Sequence, residues 1–505
     1  MKKLLVAIVF CLSSLFASAQ SGYDIKINLK NCKDTLVYLT YYQFDKTLIK
    51  DTCTHIQNGK IVFKGKEKLN KGIYTLISQQ KTILFDFFID DDTQNLELKS
   101  DSEYEIVKDL VALNSPREND FFDYIKYIGK QNTAFQLIKQ STVLKTKKDT
   151  LALNEKQKEL EKNIYDYEEK FLAQNKGTYI GDVLNLKMEK VLKNVPKASN
   201  GRPDSIAAFN YYKKHYWENV DFKDDATMRN PFFTGKLKKY FDQVVVMHPD
   251  SVIVEVDKIL AKTNPKGFLF KLMLAHFTYS YETSKIMGFD KVFVHLSDNY
   301  FKTGKAEGIY DDGEVVQKII KRADKLRPLL VGSKAQELSM IRAEDFEKMK
   351  AMGFEDAKTS DDITKVYYKN VDAINKMYVK LSDVKADYTI MVFWDVDCGH
   401  CQKEIPILLD AYNEMIKEKK NVKVYSVYMQ HEGEKYLKYI DEHKLPWINV
   451  YDGAHINNAV EKYDVVTTPV IYILDKNKII KAKRIDAGKV KDIIKAIEIE
   501  NKKIN

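Results

Sequence analysis

Cysteine is scarce in this chain, with five in 505 residues. Scaffolds held together by disulfides use far more for their length, so that class is excluded. Proline (10) and glycine (20) are also few, which excludes collagen-like repeats and a flexible low-complexity chain. Long hydrophobic runs are missing. The apolar stretch from Leu4 to Leu12 has nine residues, too few to span a bilayer. No later stretch reaches spanning length without charge, so stable membrane insertion is not expected. A dominant charge is missing too: 81 Lys and Arg face 72 Asp and Glu, a net +9 spread along the chain. A nucleic-acid-binding chain concentrates its basic residues on one stretch. Nucleic acid is therefore not expected as a partner, and the excess reads as a solvated surface.

What is present is core-forming material. Aliphatic and aromatic residues make up 44%, with 31 Tyr and 25 Phe. This length corresponds to about three domains. Residues 1–19 read as a signal peptide. Lys2 and Lys3 form the charged start, the apolar run follows, and Ala17-Ser18-Ala19 offers a cleavage site before Gln20. Export to the periplasm is expected. Cys11 lies inside the apolar run and Phe10 before it is too bulky for a lipoprotein site, so lipid anchoring is not expected.

Residues 20–104 read as short strands, at 23–29, 35–42, 60–64, 73–78, 83–89 and 95–98, separated by turn signals such as Asn58-Gly59. Residues 105–328 change to a helical period. Leu153, Leu160, Ile164, Tyr167 and Phe171 step by seven, four, three and four. In residues 329–505 strands and helices alternate after a charged, mainly helical insertion at 343–375. Strands are expected at 388–394, 422–428 and 447–450, a helix at 400–419, and a closing hairpin at 470–474 and 479–485.

Four cysteines remain beyond the leader: Cys32, Cys53, Cys398 and Cys401. The last two form Cys398-Gly399-His400-Cys401, a spacing used for redox chemistry or metal binding. A zinc site needs about four ligands, and neither a second such pair nor a histidine pair lies nearby. Redox chemistry is expected, with no metal and no cofactor. The pair sits where a strand turns into a helix. A helix start offers unpaired N–H groups and partial positive charge, which favour a thiolate. Cys398 is then the attacking thiol and Cys401 the resolving one. A protonated His400 would help, and the negative Asp397 would oppose. Cys32 and Cys53 are a candidate structural disulfide, whose loop of about 20 residues would contribute about 3 kcal/mol. Two buried free thiols are the alternative.

The segment VFWDVDCGHCQKEIP resembles the active-site segment of the TlpA/ResA-like thioredoxin family, through Phe393, Trp394, Cys398, Cys401, Glu404 and Pro406. The resemblance implies that Glu404 is a buried acid beneath the cysteines, assisting proton transfer with the second thiol. It implies that Pro406 bends the helix. Thr467-Thr468-Pro469-Val470 resembles the family's second signature, a cis-proline facing the cysteine pair. Trp394, His400 and Thr468 are then expected to meet substrate. Protein disulfides or thiols are the implied substrates, and a membrane-side thiol the electron donor. The upstream segments resemble a β-rich and a helical domain of unknown function that accompany such redoxin domains. The expected architecture is multidomain α+β: an N-terminal β-sandwich-like domain, a central all-α domain and a C-terminal thioredoxin-like α/β domain. The Gly-His pair between the cysteines leaves reductase and isomerase directions both open. A peroxidase is a weaker alternative, because the proline and the hydroxyl residue expected seven and three positions before its cysteine are Met391 and Asp395 here. A client-binding protein that keeps a redox domain as scaffold is another.

Overall fold

The computed structural model describes residues 22–103, 106–141, 146–431 and 433–504. The expected leader at 1–19 lies outside them. The chain divides into two compact units. One comprises the described residues up to Met247 with Asp257–Leu272, the other His248–Val256 with the described residues from Met273.

The first unit holds two four-stranded sheets. Strands β1 (Tyr23–Lys30), β2 (Val37–Gln43), β3 (Lys46–Cys53), β4 (Lys60–Gly65), β5 (Gly72–Ser78), β6 (Ile83–Ile89), β7 (Asn95–Asp101) and β8 (Val111–Ala112) order as β4-β1-β7-β8 and β3-β2-β5-β6. Alternation explains β1: Tyr23, Ile25, Ile27 and Leu29 are buried, while Lys26, Asn28 and Lys30 face water. Both sheets share one core with Phe121 and Phe122 of helix Pro116–Ser141 and Phe171 of helix Lys147–Gln174. Thr146 starts the second helix with a reciprocal capping box to Asp149. Cys32 and Cys53 are free thiols here, so the candidate disulfide is not formed. Cys53 is buried and Cys32 half-buried against the same core, which is the alternative of buried thiols.

The second unit is built on one seven-stranded sheet. Its strands are β9 (Ser339–Arg342), β10 (Tyr378–Lys380), β11 (Tyr388–Trp394), β12 (Val422–Tyr428), β13 (Ile448–Tyr451), β14 (Val470–Asp475) and β15 (Ile480–Lys483). They order as β10-β9-β13-β12-β11-β14-β15. Every residue of β11 is buried, as its unbroken apolar run requires of a central strand covered on both faces. β12 lies parallel to it and β14 antiparallel. Ile405, Leu408 and Met415 of helix Cys401–Lys417, with Val490 and Ile494 of the closing helix Val490–Ile504, cover one face. Leu329, Leu338, Tyr463 and Val465 pack on the other.

Strands β9 and β10 were not foreseen. They pair antiparallel, bracket the insertion helices Phe346–Ala351 and Ser360–Met377, and extend the sheet beyond β13. The helical stretch is not one body. Its last part, from Met273, belongs to the second unit, where Lys483 of β15 pairs with Asp290 and Arg322 with Asp464.

Candidate active site

Register builds the site. Phe393 pairs with Val470, so the residues just before β14 lie beside the chain leaving β11. Those residues are Thr468 and Pro469, joined by a cis peptide bond as expected. The chain leaving β11 carries Cys398 and reaches the helix at Cys401. The Cys398 thiol lies 3.4 Å from the Thr468 carbonyl, to which it donates. Two segments seventy residues apart in sequence thus meet at one sulfur.

The two thiols differ sharply. Cys398 is partly exposed, Cys401 fully buried. Burial alone would push Cys398 up. The Thr468 hydroxyl, the Cys401 thiol and the N–H groups of Cys401 and His400 outweigh it and hold the thiol below its ordinary value. Cys401 moves the other way. Burial pushes it up to about 12, against hydrogen bonds from the Asp395 N–H and the Thr468 side chain. The helix start therefore favours one thiolate only.

The expected site residues fare differently. His400 is exposed next to Cys398, and its N–H helps to hold that thiol down. Thr468 and Pro469 are half-buried at the same place. Trp394 is corrected: it is completely buried, donates its indole N–H to Ser426 Oγ at 2.7 Å, and is ringed by Tyr428, Tyr436 and Tyr439. It supports the cysteine loop from beneath and meets no substrate.

Glu404 is corrected too. It is half-buried, and its carboxylate accepts the Ala487 N–H at 2.7 Å. It ties the helix that carries Cys401 to the turn Ala487–Lys489, which opens the closing helix. Neither thiol's shift has Glu404 among its leading causes. Glu404→Gln keeps an acceptor for Ala487, so its pH–rate profile for disulfide exchange is expected to superimpose on that of the unmodified protein. Glu404→Ala orphans that N–H, and urea unfolding is expected to show a loss of about 1 kcal/mol.

The carboxylate of Asp397, expected to oppose the thiolate, is paired with Lys435 at 2.8 Å and is not among the leading causes that set Cys398. Among the described residues no cluster of three or more His, Cys, Asp or Glu could hold a metal ion. One group escaped the sequence analysis altogether. The fully buried Asp464, shortly before the cis-proline, is clamped by Arg322, Lys325 and Arg484. Only the folded chain brings residues 322 and 484 to it.

A sheet of this order, with a Cys-Gly-His-Cys helix start facing a cis-proline, defines a thioredoxin-fold domain. The AhpC/TSA family matches residues 365–483, and this C-terminal domain is similar to thiol–disulfide oxidoreductases. Two domains of unknown function match upstream, DUF4369 over residues 23–121 and DUF5106 over 152–309. Among solved structures, a domain of a possible thiol-disulfide isomerase from Cytophaga hutchinsonii ATCC 33406 is 33% identical, covering 35% of this chain and 98% of that one, with a TM-score of 0.27. A thiol:disulfide interchange protein from Bacteroides sp. is 23% identical over 33% of this chain and 88% of that one (TM-score 0.24). A thioredoxin-like protein from Bacteroides caccae ATCC 43185 is 17% identical over 60% and 98% (TM-score 0.33). A dynein heavy chain-like protein 2 from Plasmodium falciparum (isolate 3D7) is 24% identical over 218 residues, 39% of this chain. This chain spans only 4% of that protein's length.

Proposed function

We propose that this protein is exported to the periplasm and exchanges disulfides with client proteins through Cys398 and Cys401, in the reductase or isomerase direction. The observation that carries the reading is the asymmetry of the two thiols: one partly exposed and held low, one buried and pushed up to about 12. The Cys398 thiolate attacks a client disulfide, forming a mixed disulfide and releasing one client thiolate. Cys401 then attacks Cys398, and the second client sulfur leaves. The client gains two electrons, and Cys398–Cys401 becomes the disulfide. A membrane-side thiol donor returns it to the dithiol. Thr468, next to the attacking sulfur, offers backbone for an extended client segment to pair with.

Peroxide reduction is the weaker chemistry here. Three residues before Cys398 stands Asp395, whose carboxylate accepts from Gln430, instead of a hydroxyl. The charged start and apolar run at 1–19 support export.

Trapping tests the reading. Cys401→Ser is expected to accumulate client proteins as reducible adducts on Cys398, identifiable by mass spectrometry in envelope fractions. Cys398→Ser should accumulate none. Equal adduct yields from both variants would overturn the assignment, as would turnover of a model disulfide by Cys398→Ser.

A further inference from the structure

The insertion between β9 and β10 builds a wall beside the cysteine loop. Its helix Phe346–Ala351 packs on the start of helix Gly433–His443, so closely that a side chain at Gly433 would meet the Phe346 ring. Between these elements and the end of β13 lies a cavity of about 510 Å³. Cavities of this size take small ligands or single side chains. This one adjoins the nucleophile. Lys435 lines it, and the Lys435 ammonium lies 2.8 Å from the carboxylate of Asp397, the residue before Cys398. His431 lines it too, and Gln430 before it donates to Asp395 at 2.7 Å. Two hydrogen-bonded ties thus hold the cavity against the cysteine loop. Its floor is buried and apolar: Phe346 and Tyr451, with ring centroids 6.0 Å apart, then Phe354 and the thioether of Met349. At its edge His431 and His455 are exposed and stack on each other at 4.1 Å. The charges of the rim are matched among themselves. Lys350 bridges Glu355 and Glu434 at 3.1 and 3.3 Å, and Lys435 holds Asp397. What meets an occupant is ring faces, ring edges and a sulfur, the complement of a neutral aromatic group.

We propose that this cavity is a specificity subsite, which receives an aromatic side chain of the client within two residues of the cysteine that Cys398 attacks. This rests on the proposed exchange function and names the class of client segment that it favours. An extended segment advances about 3.4 Å per residue, and the cavity begins one residue and one ion pair away from Cys398. A ring one or two positions from the attacked cysteine is therefore the one that meets it. Thr468, whose carbonyl touches the Cys398 sulfur, holds the backbone of the same segment, and the cavity adds a choice among side chains. The insertion supplies Phe346, Met349 and Phe354, so the selection comes from residues outside the cysteine and cis-proline motifs.

The test uses short peptides whose single cysteine carries a thionitrobenzoate disulfide, with tryptophan or alanine at each of the two positions on either side. The Cys398 thiolate of the reduced full chain attacks the peptide sulfur. The Cys398–peptide disulfide forms, and thionitrobenzoate leaves as a coloured thiolate with the electron pair. Cys398→Ser supplies the blank for the other thiols. We expect tryptophan in at least one position to raise the second-order rate about tenfold over alanine. In Ala357→Trp, which fills the cavity from a half-buried loop position, that advantage should vanish. His455→Asn should reduce it. That variant removes one of the stacked rings and suits the left-handed backbone there, with φ 53°. Equal rates for tryptophan and alanine at every position would overturn the inference while leaving the exchange reading intact. A preference that survives in both variants would overturn it by placing the selection elsewhere. Binding of free indole by calorimetry, without any peptide preference, would overturn it in favour of a small-molecule site. Colour release no faster than the blank with every peptide would overturn the exchange reading and this inference with it.

Discussion

Alkylating the reduced protein with iodoacetamide at pH 7 is expected to label Cys398 about a hundredfold faster than Cys401. Only the thiolate reacts. Cys401, pushed up to about 12, has roughly one thiolate in 10⁵ molecules at pH 7. Cys398 lies below 9.0, so more than about one molecule in a hundred is reactive. The fractions differ by about 10³. A weaker acid gives a more nucleophilic thiolate, which returns roughly ten- to thirtyfold to Cys401. Burial takes that back, because Cys401 has no exposed surface and Cys398 does. The pH dependence separates the two further. Cys398 labelling should level off at a lower pH than Cys401 labelling, which should still be rising at pH 10. Peptide mass spectra at timed quenches read both rates. Equal rates, or Cys401 ahead, would remove the thiol asymmetry on which the exchange mechanism stands.

The cysteine pair and the cis-proline were legible in the sequence because each lies in a contiguous motif next to an unbroken apolar strand. The fold then pairs Phe393 with Val470 and brings the two motifs together. Residue roles that depend on direction were not legible. Trp394 sits beside the motif, but as the last residue of β11 its ring turns under the sheet to Ser426 rather than toward substrate. Glu404 has the spacing of a residue beneath the pair, yet its side chain leaves that face for the backbone of Ala487, 83 residues on. The charge of Asp397 was visible, and its partner Lys435 on a different element was not. Strands β9 and β10 have four and three residues, too short for a period of two to register. The helical period upstream was plain. That its last part would pack with the C-terminal sheet was not, because Arg322 meets its carboxylate 142 residues away.

That carboxylate supports the last expectation, that Asp464→Asn lowers the stability of the C-terminal unit by about 3 kcal/mol at pH 7. Asp464 is fully buried and accepts two hydrogen bonds from Arg322, at 2.6 and 2.9 Å. Arg484 bonds both its carboxylate and its main-chain oxygen, and Lys325 lies 3.5 Å away. Its backbone is left-handed, with φ 51° and ψ 45°, a conformation that asparagine tolerates as well as aspartate. The substitution therefore removes the charge and leaves the turn in place. Three cations then face one another without their anion. Arg322, Lys325 and Arg484 keep partial access to solvent, which holds the loss to the lower end of the range for a broken buried pair. The pH dependence carries the same signature. Burial alone would raise the Asp464 carboxyl, but Arg322's hydrogen bonds, with the charges of Arg322, Arg484 and Lys325, hold it below its ordinary value of 3.8. A carboxyl lowered in the folded state stabilises above its unfolded value, and that contribution is lost as pH falls through the folded one. Amide exchange in β14, measured from pH 7 down to pH 3, should show this acid loss in the unmodified protein and not in Asp464→Asn. The gap between the two should narrow toward the acid end. Because Asp464 precedes Thr468 by four residues, the looser turn should also slow the first attack by Cys398, whose sulfur is held against the Thr468 carbonyl. Unchanged exchange in β14 at pH 7 would mean that the three cations are satisfied by solvent and that the clamp does not hold the cis-proline turn.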